Sequence, residues 1–132
     1  MDLIVQFFVA FAVFLVIDLV WLGFVAKKIY NRYLGYLLAE NVNWVAAIVF
    51  YILFVMGMMY FVIIPAIDAS SWTIALVSGA VYGFITYATY DLTNLSTVKG
   101  WPLQITIIDL IWGTSLSTLV SVISYFIIAT IL

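Results

Sequence analysis

The chain has 132 residues, 68% of them hydrophobic and only 8% charged, with a formal net charge of −2. Soluble domains average about 25% charged residues, and a compact domain of this size still exposes roughly a third of its unfolded surface, so the solvent must be lipid. With no cysteine and no histidine, disulfides, thiol catalysis, His-ligated haem and Zn–His sites are excluded. A weak net charge without a basic cluster gives no footprint for nucleic acid.

In chain order, Met1-Asp2-Leu3-Ile4 lacks the positive region of a signal peptide. The first apolar run, near 3–26, is therefore expected as a retained helix. The segment 27–42 carries Ile29, Tyr30, Tyr33, Leu34, Leu37 and Leu38 at three- and four-residue spacing, with Lys28, Arg32 and Glu40 elsewhere on the wheel. That pattern predicts a short cytoplasmic interfacial helix with its tyrosines at headgroup level. A second run spans 44–64 and ends at Pro65. A third spans 72–95, and Gly100-Trp101-Pro102 separates it from a long fourth run over 103–131, extending to Leu132.

Each run meets the ~20 residues needed to cross a bilayer. With no water to satisfy the backbone, the runs must be helices. The expectation is an all-α polytopic membrane protein, residues 1–132 forming one four-transmembrane-helix bundle. Lys27, Lys28 and Arg32 lie between spans one and two, Lys99 lies between three and four, and the remaining loop carries Asp68 and no base. The positive-inside bias then places both termini outside the cytoplasm.

Asp18, Asp91 and Asp109 interrupt these runs. A carboxylate at mid-membrane costs on the order of 2.5–3.5 kcal/mol on insertion scales, and such residues face a protein interior or a wet cavity. Counting along the helices from Lys27, Lys99 and Pro102 puts all three aspartates roughly 10–14 Å inside the cytoplasmic boundary. Gly83, Tyr87, Tyr90, Asp91 and Asn94 share one face of the third span, since steps of three and four return to the same side. Thr106, Asp109, Gly113, Ser117 and Ser124 form a similar stripe on the fourth, and Gly79 with Gly83 makes a GxxxG for close helix approach. Trp21 lies one turn beyond Asp18. The second span carries neither carboxylate nor base and reads as scaffold, or as a face for lipid and a partner subunit.

Three ionised carboxylates in one cavity would repel, so a proton or a cation must sit among them. The candidate ligand- or proton-binding set is Asp18, Asp91, Asp109, Asn94, Tyr87, Tyr90, Trp21 and Trp112. No cofactor is expected. Oxygen ligands alone would suit a hard divalent cation, yet no metal-ligand motif is present.

Ile17-Asp18-Leu19-Val20-Trp21 recurs almost intact as Ile108-Asp109-Leu110-Ile111-Trp112. An inverted repeat about the midplane would put the two aspartates on opposite sides, so the echo does not establish a duplication. Asp18-Leu-Val-Trp-Leu-Gly23, Tyr82 through Leu95, Lys99-Gly-Trp-Pro102 and Asp109-Leu-Ile-Trp-Gly113 together resemble a bacterial family of small predicted membrane proteins, domain of unknown function 2177. The resemblance covers most of the chain and implies a four-helix protein of the bacterial inner membrane. It brings no reaction, substrate or cofactor.

Three functional readings follow. The leading one is a small transporter or binding protein for a proton, a cation or a small cationic or amphipathic ligand, its thin wall favouring a homodimer. The second is an intramembrane acid/base enzyme acting on a lipid or isoprenoid, held behind by the lack of a nucleophile–base pair. The third is an interaction subunit whose aspartates pair with bases of another membrane protein.

Overall fold

A computed structural model describes residues 2–38 and 41–131. Four helices carry the chain: α1 (Leu3–Leu34), α2 (Trp44–Asp68), α3 (Trp72–Thr97) and α4 (Leu103–Thr130), each long and apolar enough to cross a membrane. The described residues contain no strand.

The helix starts follow from local chemistry. Side-chain oxygens of Asp2, Asn43 and Ser71 accept from the backbone N–H of Ile4 (2.9 Å), Ala46 (3.1 Å) and Ile74 (3.3 Å). Each satisfies an amide that the first turn leaves orphaned. Between α3 and α4 the chain turns at Gly100, whose φ of 76° is a conformation that costs a Cβ-bearing residue more. The antiparallel α3–α4 pair is the most extensive contact, α1 packs along α4, and α2 leans on α1 early and on α3 further along.

Glycines set the α3–α4 separation. A Cβ on Gly79 would lie 2.8 Å from Ser121 Oγ and 3.0 Å from the Ser117 carbonyl oxygen. One on Gly83 would strike the Gly113 carbonyl, and one on Gly113 would strike the Tyr87 ring. The GxxxG pair therefore does what its spacing suggests. The main core lies beside this pair, with Phe14, Phe54, Val55, Met58, Val62, Ile63, Leu116 and Val120 buried together.

Two expectations are corrected. No separate interfacial helix follows the first span: Lys27–Leu34 is helical as the last turns of α1. (Ala39 and Glu40 of that expected helix, like Leu132 of the fourth run, lie outside the described residues.) The join is a π-turn over Leu22–Ala26. Pro65 does not end the second helix either, because a π-turn over Met59–Ile63 precedes it and the helix runs on to Asp68. Proline in a helix lacks an N–H and crowds the carbonyl four residues back, and a wider i→i+5 turn just before it relieves both.

The first π-turn sets which residues face the bundle. Tyr30 is twelve residues after Asp18, about 120° round a regular helix at 100° per residue. A π-turn absorbs one extra residue, which reduces the offset to about 20°. The buried stripe Gln6, Ala10, Phe14, Asp18 accordingly resumes at Ala26 and Leu34, with Tyr30 half-buried between them.

Candidate functional site

All three intramembrane aspartates are turned inward: Asp91 is 0% exposed, Asp109 4% and Asp18 8%. The bundle does not gather them at one point. Asp91 on α3 and Asp109 on α4 are neighbours across the closely packed helix pair. Neither oxygen of Asp91 receives a bond from any described donor. Asp109 is served from α1, where the Tyr30 hydroxyl donates to its Oδ1. Asp18 stands apart, opposite the Tyr51 hydroxyl of α2.

Two clefts approach these groups. The larger, about 460 Å³, is lined by Tyr30, Leu34, Phe50, Phe54, Thr86, Tyr87, Tyr90 and Asp109, with Leu38 at its edge. It lies where the first half of α2 falls away from α3. The smaller, about 220 Å³, lies between α1 and α2 and is lined by Asp18, Trp21, Leu22, Tyr30, Ala47, Phe50, Tyr51, Tyr87 and Trp112. Tyr30, Phe50 and Tyr87 form the wall between them. Tyr87 is held there by the Gly113 notch, and it lies within the fields of all three aspartates.

The remaining expected residues divide between the clefts. Trp21 and Trp112 stack face to face, ring centroids 4.3 Å apart and planes 8° from parallel. Their aspartate-tryptophan strings thus meet across α1 and α4. Tyr90 is 57% exposed at the mouth of the larger cleft. Its ring meets Trp101 edge-on at 5.9 Å, and its hydroxyl is within reach of Asn94. Among the described residues no basic side chain lines either cleft, and no three acidic groups converge as a metal site would need.

Sequence reasoning missed Tyr30, Tyr51, Phe50, Phe54 and Thr86. From the sequence Tyr30 belongs to a separate interfacial helix with its ring at headgroup level, whereas the π-turn and the continuing helix bring it to the side of Asp18. The second helix is more than scaffold: Phe50, Tyr51 and Phe54 supply the aromatic side of both clefts. Tyr82 fixes that side, its hydroxyl donating to the Phe54 carbonyl at 2.8 Å. The Thr86 hydroxyl is spent on its own helix, bonding the Tyr82 carbonyl at 2.8 Å. Basic residues lie beyond the clefts on exposed positions, and Tyr36 ties their two segments together by donating to the Gly100 carbonyl at 2.6 Å.

A family model described as a predicted membrane protein, DUF2177, matches residues 3–126. The chain belongs to the DUF2177 family. No curated protein and no solved structure matches it. The matched region takes in all three aspartates, both π-turns and every residue lining the two clefts, so the site described above is built wholly from the DUF2177 domain.

Proposed function

We propose that this DUF2177 protein binds a cationic, amphipathic ligand in the cleft between α2 and α3, exchanging it for a proton held by Asp91 and Asp109. The observation that carries this reading is Asp91: fully buried, without a donor to either oxygen, and facing a second carboxyl group. Two carboxylates in that position repel unless a proton or a cation lies between them. One bound proton makes the pair a singly charged acceptor. A ligand cation arriving there releases that proton, and the net charge of the buried site stays the same.

The walls select the rest of the ligand. Phe50, Phe54 and Leu34 offer apolar contact, and the tyrosine and phenylalanine faces attract a cation by their quadrupoles. The cleft lies between two apolar helices and its lining is mostly apolar, which suits a molecule dissolved in the bilayer. The base distribution supports an inner-membrane orientation with both termini outside the cytoplasm, and hence with this site towards the cytoplasmic side.

Tetraphenylphosphonium, a hydrophobic cation, tests the reading when titrated onto the purified protein in lipid nanodiscs. Binding should weaken at least about tenfold in Asp91→Asn and in Asp109→Asn, as loss of a buried charge partner does. Circular dichroism checks that both variants remain helical. Equal affinity in the wild type and both variants would sink the proposal.

A further inference from the structure

The smaller cleft has a composition of its own, and the geometry points to a second ligand site there: Asp18 with the aromatic faces around it receives a small alkylated ammonium ion. Nothing in this inference depends on the α2–α3 cleft. Asp18 keeps a little exposure into the cleft, and among the described residues no base or other carboxylate lines the space with it. A carboxyl group so placed, most of the way out of solvent, carries its charge only with a positive partner beside it.

Its surroundings decide the kind of cation. Hard ions such as Mg²⁺ or Ca²⁺ take about six or more oxygen ligands, whereas the residues lining this cleft include one carboxylate and three tyrosines, and the Tyr30 hydroxyl is already bonded to Asp109. Six aromatic side chains line it: Trp21, Tyr30, Phe50, Tyr51, Tyr87 and Trp112. Methylated ammonium ions are recognised by such aromatic surfaces together with a carboxylate, because their charge is spread over methyl groups that shed water cheaply. The Trp21–Trp112 stack presents a rigid double-thickness wall. The volume of about 220 Å³ admits an ion the size of tetramethylammonium and excludes a bulky aryl phosphonium.

The test titrates tetramethylammonium chloride onto the full chain in nanodiscs by calorimetry, with sodium chloride at matched ionic strength as the comparison. Saturable binding to one site, unaffected by sodium, is expected. Asp18→Asn should weaken it at least about tenfold, while Asp68→Asn at the opposite end leaves it unchanged. Absence of saturable binding, equal competition by sodium, or unaltered binding by Asp18→Asn would each overturn the site. A second measurement needs no variant: tetramethylammonium should slow carbodiimide modification of Asp18 in the wild-type protein, read by mass spectrometry. Modification at an unchanged rate would also overturn it. Tetraphenylphosphonium binding on the same preparation reports the other cleft, so failure of one site is distinguishable from failure of the other.

Discussion

The Tyr30 hydroxyl of α1 donates to the Asp109 carboxyl of α4, joining two residues 79 positions apart at the wall between the two clefts. Removing that donor with Tyr30→Phe keeps the ring in place and leaves Asp109 with Asp91 alone. Interhelical hydrogen bonds in membranes contribute about 0.6 kcal/mol on average and up to about 1.7. The variant should therefore lose roughly 1 kcal/mol of stability, seen as a lower midpoint in denaturant unfolding from mixed micelles. An unchanged midpoint would show that the bond contributes nothing.

The glycines along α3 and α4 make opposite predictions from the one in α1. Gly113→Ala drives a methyl group into the Tyr87 ring, and Gly83→Ala drives one into the Gly113 carbonyl. Overpacking of this kind costs typically 1–3 kcal/mol. Gly23 has nothing within 4 Å of an added Cβ, so Gly23→Ala should gain up to about 1 kcal/mol from helix propensity. Thermal unfolding midpoints of the three variants in one detergent would order them, and a Gly113→Ala protein as stable as Gly23→Ala would contradict the close packing.

Much of this architecture was legible in composition alone. Four apolar runs and their polar breaks give the four helices, though the first runs on to Leu34 and the second to Asp68, because open strands in a bilayer would leave the backbone unsatisfied. The aspartates stood out for the same reason: charge in lipid is rare. What could not be read was rotation. Helix faces were assigned at a constant 100° per residue, and the π-turns at Leu22–Ala26 and Met59–Ile63 break that constancy without a signature in residue type. Tyr30 reads as part of a separate interfacial helix and Pro65 as a stop, whereas the helices run on through both points, and the three aspartates divide into a pair and a neighbour. The aromatic content of α2 was visible, but without ionisable partners it looked like packing.

That rotational account can be tested by changing chain length. Deleting Gly23 removes the extra residue of the π-turn and lets α1 continue as regular helix with Tyr30 still facing Asp109. Deleting Ala12, within the regular part of α1, shifts everything before it by about 100° and turns Gln6 and Ala10 out of the core. The first deletion should leave a monodisperse, stable protein and the second should not, as judged by size-exclusion chromatography after heating. Equal damage from both would refute the re-registering role of the turn.

Topology offers a check in intact cells. Fusions of alkaline phosphatase, active only outside the bacterial cytoplasm, should be active at the C-terminus after Leu132 and inactive when placed after Lys99. The reverse pattern would invert the proposed orientation and put the carboxyl pair nearer the outer side.

The most direct test of proton exchange is to count protons. Tetraphenylphosphonium is added to the nanodisc-embedded protein in weak buffer, and proton release is followed with a pH-sensitive dye. One proton should leave for each cation bound in the wild type, with acidification of the medium weakening binding because the proton competes for the same pair. Asp91→Asn should release none. Binding of the cation with no proton released, and with the same affinity at acid and neutral pH, would contradict exchange at Asp91 and Asp109.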